Sequence, residues 1–108
     1  MSVQNSVRLI GNIGQDPITK KTDTGVVILS VSLATNESYK NDKGEKITKT
    51  EWHNLVMFNK KALNIEKYCK KGSRVAVDGK LQTRVYQNKE GVDVYRTEIV
   101  VEDIYFLS

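Results

Sequence analysis

The stretch Thr50–Phe58, TEWHNLVMF, decides how this chain is read. With the two-residue period of a β-strand it puts Trp52, Asn54, Val56 and Phe58 on one face. Glu51, His53, Leu55 and Met57 fall on the other. A half-buried strand has one apolar face and one wet face, but here both faces carry bulky apolar groups. Two readings follow. Either the strand is buried on both sides, or one set of aromatics points at something other than the core.

The flanking sequence supplies the rest of a β domain. Residues 3–13 alternate, with Val3, Val7, Leu9 and Ile13 on one face and Gln4, Ser6, Arg8 and Asn12 on the other. Gly11 and Gly14 mark a bend or bulge, and Asp16-Pro17 turns the chain. Residues 26–36, VVILSVSLATN, are rich in β-branched side chains and form a second strand. The polar run 37–46 is a hairpin tip, and Ile47–Phe58 is the third strand. Asn59 is placed to cap a helix through KKALNIEKYCKK, in which Ala62, Ile65, Tyr68 and Cys69 recur at helical spacing. Gly72 stops it, and Lys70 and Lys71 suit the negative end of its dipole.

A fourth strand runs from Arg74 to about Gln87. Val75, Val77, Leu81 and Val85 share one face, and Arg74, Lys80, Gln82, Arg84 and Tyr86 the other. Asn88–Gly91 is a second hairpin turn, and a fifth strand from about Val94 supplies Ile99 and Val101 to the core. Tyr68, Tyr95 and Tyr105 are expected to pack as core aromatics. Three strands, a helix and two strands is the order of the OB-fold, an all-β, five-stranded Greek-key barrel with one helix between strands 3 and 4. The whole chain, 1–108, reads as one such domain.

Composition narrows the function. No apolar run approaches the roughly 18 residues of a membrane span, and no basic-then-apolar leader opens the chain. A cytoplasmic location is therefore the default. Cys69 is the single cysteine, which precludes an intrachain disulfide and suits a small buried side chain. Seventeen basic against thirteen acidic residues give a net charge of +4. That excess suits an anionic partner, although a solvated basic surface has the same composition. His53 is the only histidine and is separated from Cys69 by a helix, so no metal site is expected. The phosphate-cradling GxxxxGK is absent. Gly11-Asn12-Ile13-Gly14 matches a KH-type GxxG but ends a strand instead of joining helices. The carboxylates lie in hairpins and on strand surfaces with no isolated pair. Neither an enzyme nor a cofactor is expected.

The positive signal is the pairing of flat rings with cations and amides. Tyr39 adjoins Lys40 in a polar hairpin; Trp52 and Phe58 share a face with Asn54; Tyr86 shares one with Lys80 and Arg84. Rings that stack on exposed bases, with Lys and Arg following the phosphates, are what sequence-tolerant single-strand binding requires. An adaptor that binds mainly other proteins is the competing class.

The chain closely resembles the bacterial single-stranded DNA-binding proteins of replication, recombination and repair. The matching pieces are NSVRLIGNIGQDP, SLATNESYKNDKGE, TEWHNLVMF, KKGSRVAVDGKLQTR and Tyr86–Gly91, across residues 3–107. The resemblance implies a non-catalytic OB-fold that coats exposed single-stranded DNA. It also implies a homo-oligomer, most often a tetramer, with a dimer as the alternative. Base-stacking positions match Tyr39, Trp52, Phe58 and Tyr86, and phosphate-contacting positions match Lys20, Lys60, Lys71 and Arg84. Asn54 stands where the family commonly has a basic residue, so one phosphate contact is weakened or replaced by a hydrogen bond. His53 matches a position near a subunit interface. The implied setting is the nucleoid of a bacterium or a bacterial mobile element. Family members usually continue into a flexible linker and an acidic tip that recruits partners. Asp103–Phe106 only faintly echoes that tip and lines up with the family's last strand, so tail-mediated partners are not expected from this chain.

Overall fold

The computed structural model describes residues 4–107. The expected contribution of Val3 to the first strand lies outside them. The elements are β1 (Val7–Ile13), β2 (Thr19–Lys21), β3 (Val27–Lys40), β4 (Lys46–Phe58), α1 (Asn59–Tyr68), β5 (Arg74–Gln87) and β6 (Asp93–Phe106). Five of the six strands form a closed barrel in the order β1-β5-β6-β4-β3, shut by pairing of β1 with β3. This is the OB-fold expected from the order of elements. The short β2, which the sequence pattern did not reveal, adds to the outside of β3. All neighbours are antiparallel except β4 and β6, which run parallel through Leu55↔Ile99 and Val56↔Val100.

The alternation in each strand selects the core. Leu29, Val31 and Leu33 of β3, Leu55 and Met57 of β4, Val75 and Val77 of β5, and Ile99 and Val101 of β6 point inward. Helix α1 adds Ala62 and Ile65, and Cys69 just beyond it is also buried. Burial alone raises the Cys69 thiol above its ordinary pKa, since the thiolate is poorly solvated there. Closure requires β1 to pass from β5 to β3 within a few residues, and Gly11 makes this possible. A Cβ there would run into the Ala34 carbonyl, so Gly11 serves close backbone approach.

Several expectations are corrected. Tyr68, Tyr95 and Tyr105, expected in the core, are exposed; Leu81 and Val85, which share a face with buried Val75 and Val77, are exposed as well. The β5–β6 hairpin is longer than the barrel is tall, so both faces of its outer half meet solvent. Tyr105 lies on the barrel's outside and Tyr68 on the helix's outer side, where its ring meets Phe106 edge-on at 6.1 Å. Asn59 does not cap the helix. Phe58 occupies that position without a side-chain cap bond. Asn59 has φ +54°, a left-handed conformation Asn tolerates, and its Oδ1 accepts the Val27 N–H across to β3.

Leu55 is fully buried at the parallel junction of β4 with β6. Leu55→Ala is expected to destabilise the fold by roughly 2–5 kcal/mol, measured by urea denaturation. The equivalent exposed change Leu63→Ala should cost well under half of that.

Candidate nucleic-acid interface

The register of β3 with β4 is unbroken from Ile28↔Phe58 to Lys40↔Lys46. It answers the question posed by TEWHNLVMF. Leu55 and Met57 pair with Val31 and Leu29 on the core side. Trp52, Asn54, Val56 and Phe58 pair with Ala34, Ser32, Ser30 and Ile28 on the outer side. The partners of the first three are small, and on this side Val56 and Ala34 are themselves covered while the larger side chains stand out. Trp52 is 60% exposed and Phe58 41% exposed, with exposed Asn54 between them.

Trp52 has a defined seat. A Cβ on Gly14 would lie 2.5 Å from Cζ3 of Trp52 and 2.6 Å from the Ser32 hydroxyl. The ring therefore rests against bare backbone just after β1. Gly14, which the sequence reading took for a bend marker, is a packing surface for the ring.

The same outer face continues across the sheet. Val56 pairs with Val100, which pairs with Lys80. From Lys80, the even positions Gln82, Arg84 and Tyr86 of β5 face Glu98, Arg96 and Val94 of β6. Trp52, Asn54, Phe58, Arg84 and Tyr86 thus share the outward parity of their strands, with Arg84 and Tyr86 on the part of the hairpin that projects beyond the barrel. Arg84 grips a buried carboxylate there: its Nε lies 3.3 Å from Glu98 Oε1, and its Nη2 donates to Glu98 Oε2 at 3.4 Å. Arg96 Nε approaches the same Oε2 at 3.8 Å. Sequence reasoning missed Glu98 and Arg96. The available signal was a carboxylate immediately before the core residue Ile99, in alternation with it.

Lys20 also reaches this face. It pairs with Ile28, which pairs with Phe58, so β2 sets a lysine two strands over from the ring. Ile18, Lys20, Lys21, Thr22, Ile28 and Ser30 line a groove of about 400 Å³ there. Glu66 of α1 holds β2 in place, accepting the Thr19 N–H at 2.6 Å and the Thr19 hydroxyl at 2.9 Å. Those two bonds, the backbone one first, lower the Glu66 pKa.

The remaining candidates are spread more widely. Lys60 is exposed at the start of α1, two residues from Phe58. Lys71 lies past the helix, where its N–H donates to Asp16 Oδ1 at 2.9 Å, two residues from Gly14. Tyr39 is 57% exposed but belongs to the other side of the β3–β4 ribbon, opposite Ile47. That side leads into the core at Leu33 and is open to solvent beyond the barrel. His53 is also on it, partly buried, with Nε2 2.9 Å from the Thr35 hydroxyl. Among the described residues, no three His, Cys, Asp or Glu side chains are grouped to hold a metal ion. No helix among them is long and apolar enough to cross a membrane.

A small OB barrel with exposed rings and cations on one open sheet face defines a nucleic-acid-binding class of module. The family model described as single-strand binding protein family matches residues 4–107. Single-stranded DNA-binding protein 1 of Staphylococcus aureus (strain MSSA476) is 44% identical over 104 residues, covering 96% of this chain and 65% of that protein. The single-stranded DNA-binding protein of S. aureus strain MRSA252 matches equally. Among solved structures, Plasmodium falciparum SSB in complex with ssDNA superposes with a TM-score of 0.83 at 34% identity. The match covers 100% of this chain and 98% of that one. The chain belongs to the single-strand binding protein family. It spans 65% of the length of the staphylococcal relatives it matches.

Two outcomes are expected from this geometry. Gly14→Ala forces the Trp52 ring off its seat, so tryptophan emission shifts while stability changes by no more than about 1–2 kcal/mol. The depressed pKa of Glu66 means its bonds to Thr19 stabilise the fold above the ordinary carboxylate range. That contribution is lost as pH falls through the lowered folded value. Glu66→Gln should therefore flatten the acid limb of a melting-temperature profile and leave protection of β2 amides reduced at neutral pH.

Proposed function

We propose that this protein binds single-stranded DNA without sequence preference and without catalysis, coating exposed strands during replication, recombination and repair. The observation that carries the reading is the row Trp52–Asn54–Phe58, held outward by the β3–β4 register while Leu55 and Met57 fill the core. Large rings left in solvent are costly unless a partner covers them. An unpaired base offers a flat apolar face of matching shape, and each stacked base contributes roughly 1–3 kcal/mol. Duplex DNA keeps its base faces covered, so the surface selects against it.

In this reading Trp52, Phe58 and Tyr86 stack bases along the outer face, and Tyr39 adds a ring from the far hairpin. Lys20, Lys60, Lys71 and Arg84 attract phosphates, and Asn54 hydrogen-bonds within the polar floor. Binding stabilises only the open strand, which opposes reannealing by mass action.

Self-association, as a tetramer or a dimer, accompanies this function. Exposed Ile10 and Tyr105 flank half-buried Ala76 on one cross-strand line over β1, β5 and β6. Such an apolar line supports an interface between copies, with His53 near a second one. The cytoplasm, in association with the nucleoid, is the setting this function requires.

Trp52 is the only tryptophan, so its quenching by oligo(dT) reports binding directly. Saturable quenching is expected, with affinity falling by a log–log slope of about −0.7 per phosphate neutralised as salt rises. Tyr86→Ala should weaken binding by roughly 5- to 150-fold, the loss of one stacked base. A chain that neither quenches nor responds to salt refutes the proposal. Full DNA affinity in Tyr86→Ala, together with loss of a protein partner, would favour an adaptor.

A further inference from the structure

Glu98 is out of place on a surface that attracts phosphates. It is 4% exposed, lies on the outer side of β6, and immediately precedes the core residue Ile99. An unpaired carboxylate there would be poorly solvated and would repel a polyanion. It is not unpaired. Arg84 holds it through Nε and Nη2 at 3.3 and 3.4 Å, and Arg96 Nε lies 3.8 Å away. Arg84 and Arg96 face each other across the β5–β6 pair. Both remain substantially exposed at their side chains while the carboxylate beneath them is covered.

The charges sum to +1 over this group, and donors are left over. A guanidinium has five N–H donors and Arg84 commits two of its nitrogens to Glu98. Arg96 commits none in a hydrogen bond: its buried Nε has no acceptor among the described residues. A buried cationic donor without a close acceptor calls for a partner such as a water or an ion, and the rest of the Arg96 guanidinium is free to meet an anion. The position fits. Glu98 is one residue before the Leu55↔Ile99 pair, as is Asn54, while Arg96 and Trp52 are each three residues before it. Tyr86 follows Arg84 by one step on the same face.

We propose that Glu98 is a positioning residue that fixes Arg84 and Arg96 as a two-guanidinium clamp for a strand phosphate between Trp52 and Tyr86, and that Arg96 is a further phosphate-contacting residue. The proposal rests on the single-strand reading above. Its physical logic is preorganisation. Free arginine side chains lose rotamer freedom when they close on a phosphate, whereas two anchored on a buried carboxylate have already lost it.

Trp52 quenching by oligo(dT) over a salt series tests this with Arg96→Ala, Arg96→Lys and Glu98→Gln. Arg96→Ala is expected to flatten the log–log slope by about 0.7, which is about fivefold weaker binding at 0.1 M salt. Arg96→Lys should restore the slope but not the full affinity. Glu98→Gln is the discriminating variant. It removes a negative charge, so a field effect alone tightens binding, whereas loss of positioning weakens it with the slope retained. An unaltered slope in Arg96→Ala, or tighter binding by Glu98→Gln, overturns the clamp while leaving the single-strand reading intact. If Glu98→Gln does not fold, the two Arg96 variants decide the matter alone. No quenching in the unsubstituted chain overturns both readings.

Discussion

The register between β3 and β4 is the constraint on which everything else depends. Side chains in a strand alternate, so a slip of one residue would exchange the two faces of β4. Leu55 and Met57 would face water, and Asn54 would enter the barrel. The pairing from Ile28↔Phe58 to Lys40↔Lys46 resists that slip because Leu29, Val31 and Leu33 impose the same choice from the other strand. One decision about core packing therefore also sets the outward direction of Trp52 and Phe58. The rings are exposed because the aliphatic side chains beside them are buried.

Around that register the protein arranges contrasting environments within a few residues. Behind the sheet is a dry core of aliphatic groups. In front are Trp52 on the bare backbone of Gly14, Phe58 with Ile28 between it and Lys20, and a buried carboxylate under two guanidiniums. A basic surface alone attracts any polyanion. Rings held at fixed positions, with cations between and beside them, favour a strand whose bases are unpaired.

Much of this was legible in the sequence because a β barrel writes its core as alternation. The five barrel strands, the helix and both hairpins follow from period-two runs, helical spacing and turn residues. Sequence reading failed where alternation carries no information about where the barrel ends. Leu81, Val85 and Tyr95 alternate like core residues but belong to the part of the β5–β6 hairpin that leaves the barrel. Three-residue β2 is too short to show a period. Gly14 signalled flexibility in sequence, but its function is defined by Trp52, a distant residue in the chain.

By itself the sequence determined the fold class, the division of TEWHNLVMF into two unlike faces and the aromatic set, since each depends on residue type and local spacing. Only the tertiary structure decided which residues share a surface. It separated Tyr39 from the Trp52 row by strand parity and set Lys20 in the same cross-strand line as Ile28 and Phe58 through an unanticipated strand. It also gathered Arg84 and Arg96 onto Glu98. The physical reason is that cross-strand neighbours are set by register, twist and closure of the whole barrel. None of these is a property of any segment alone.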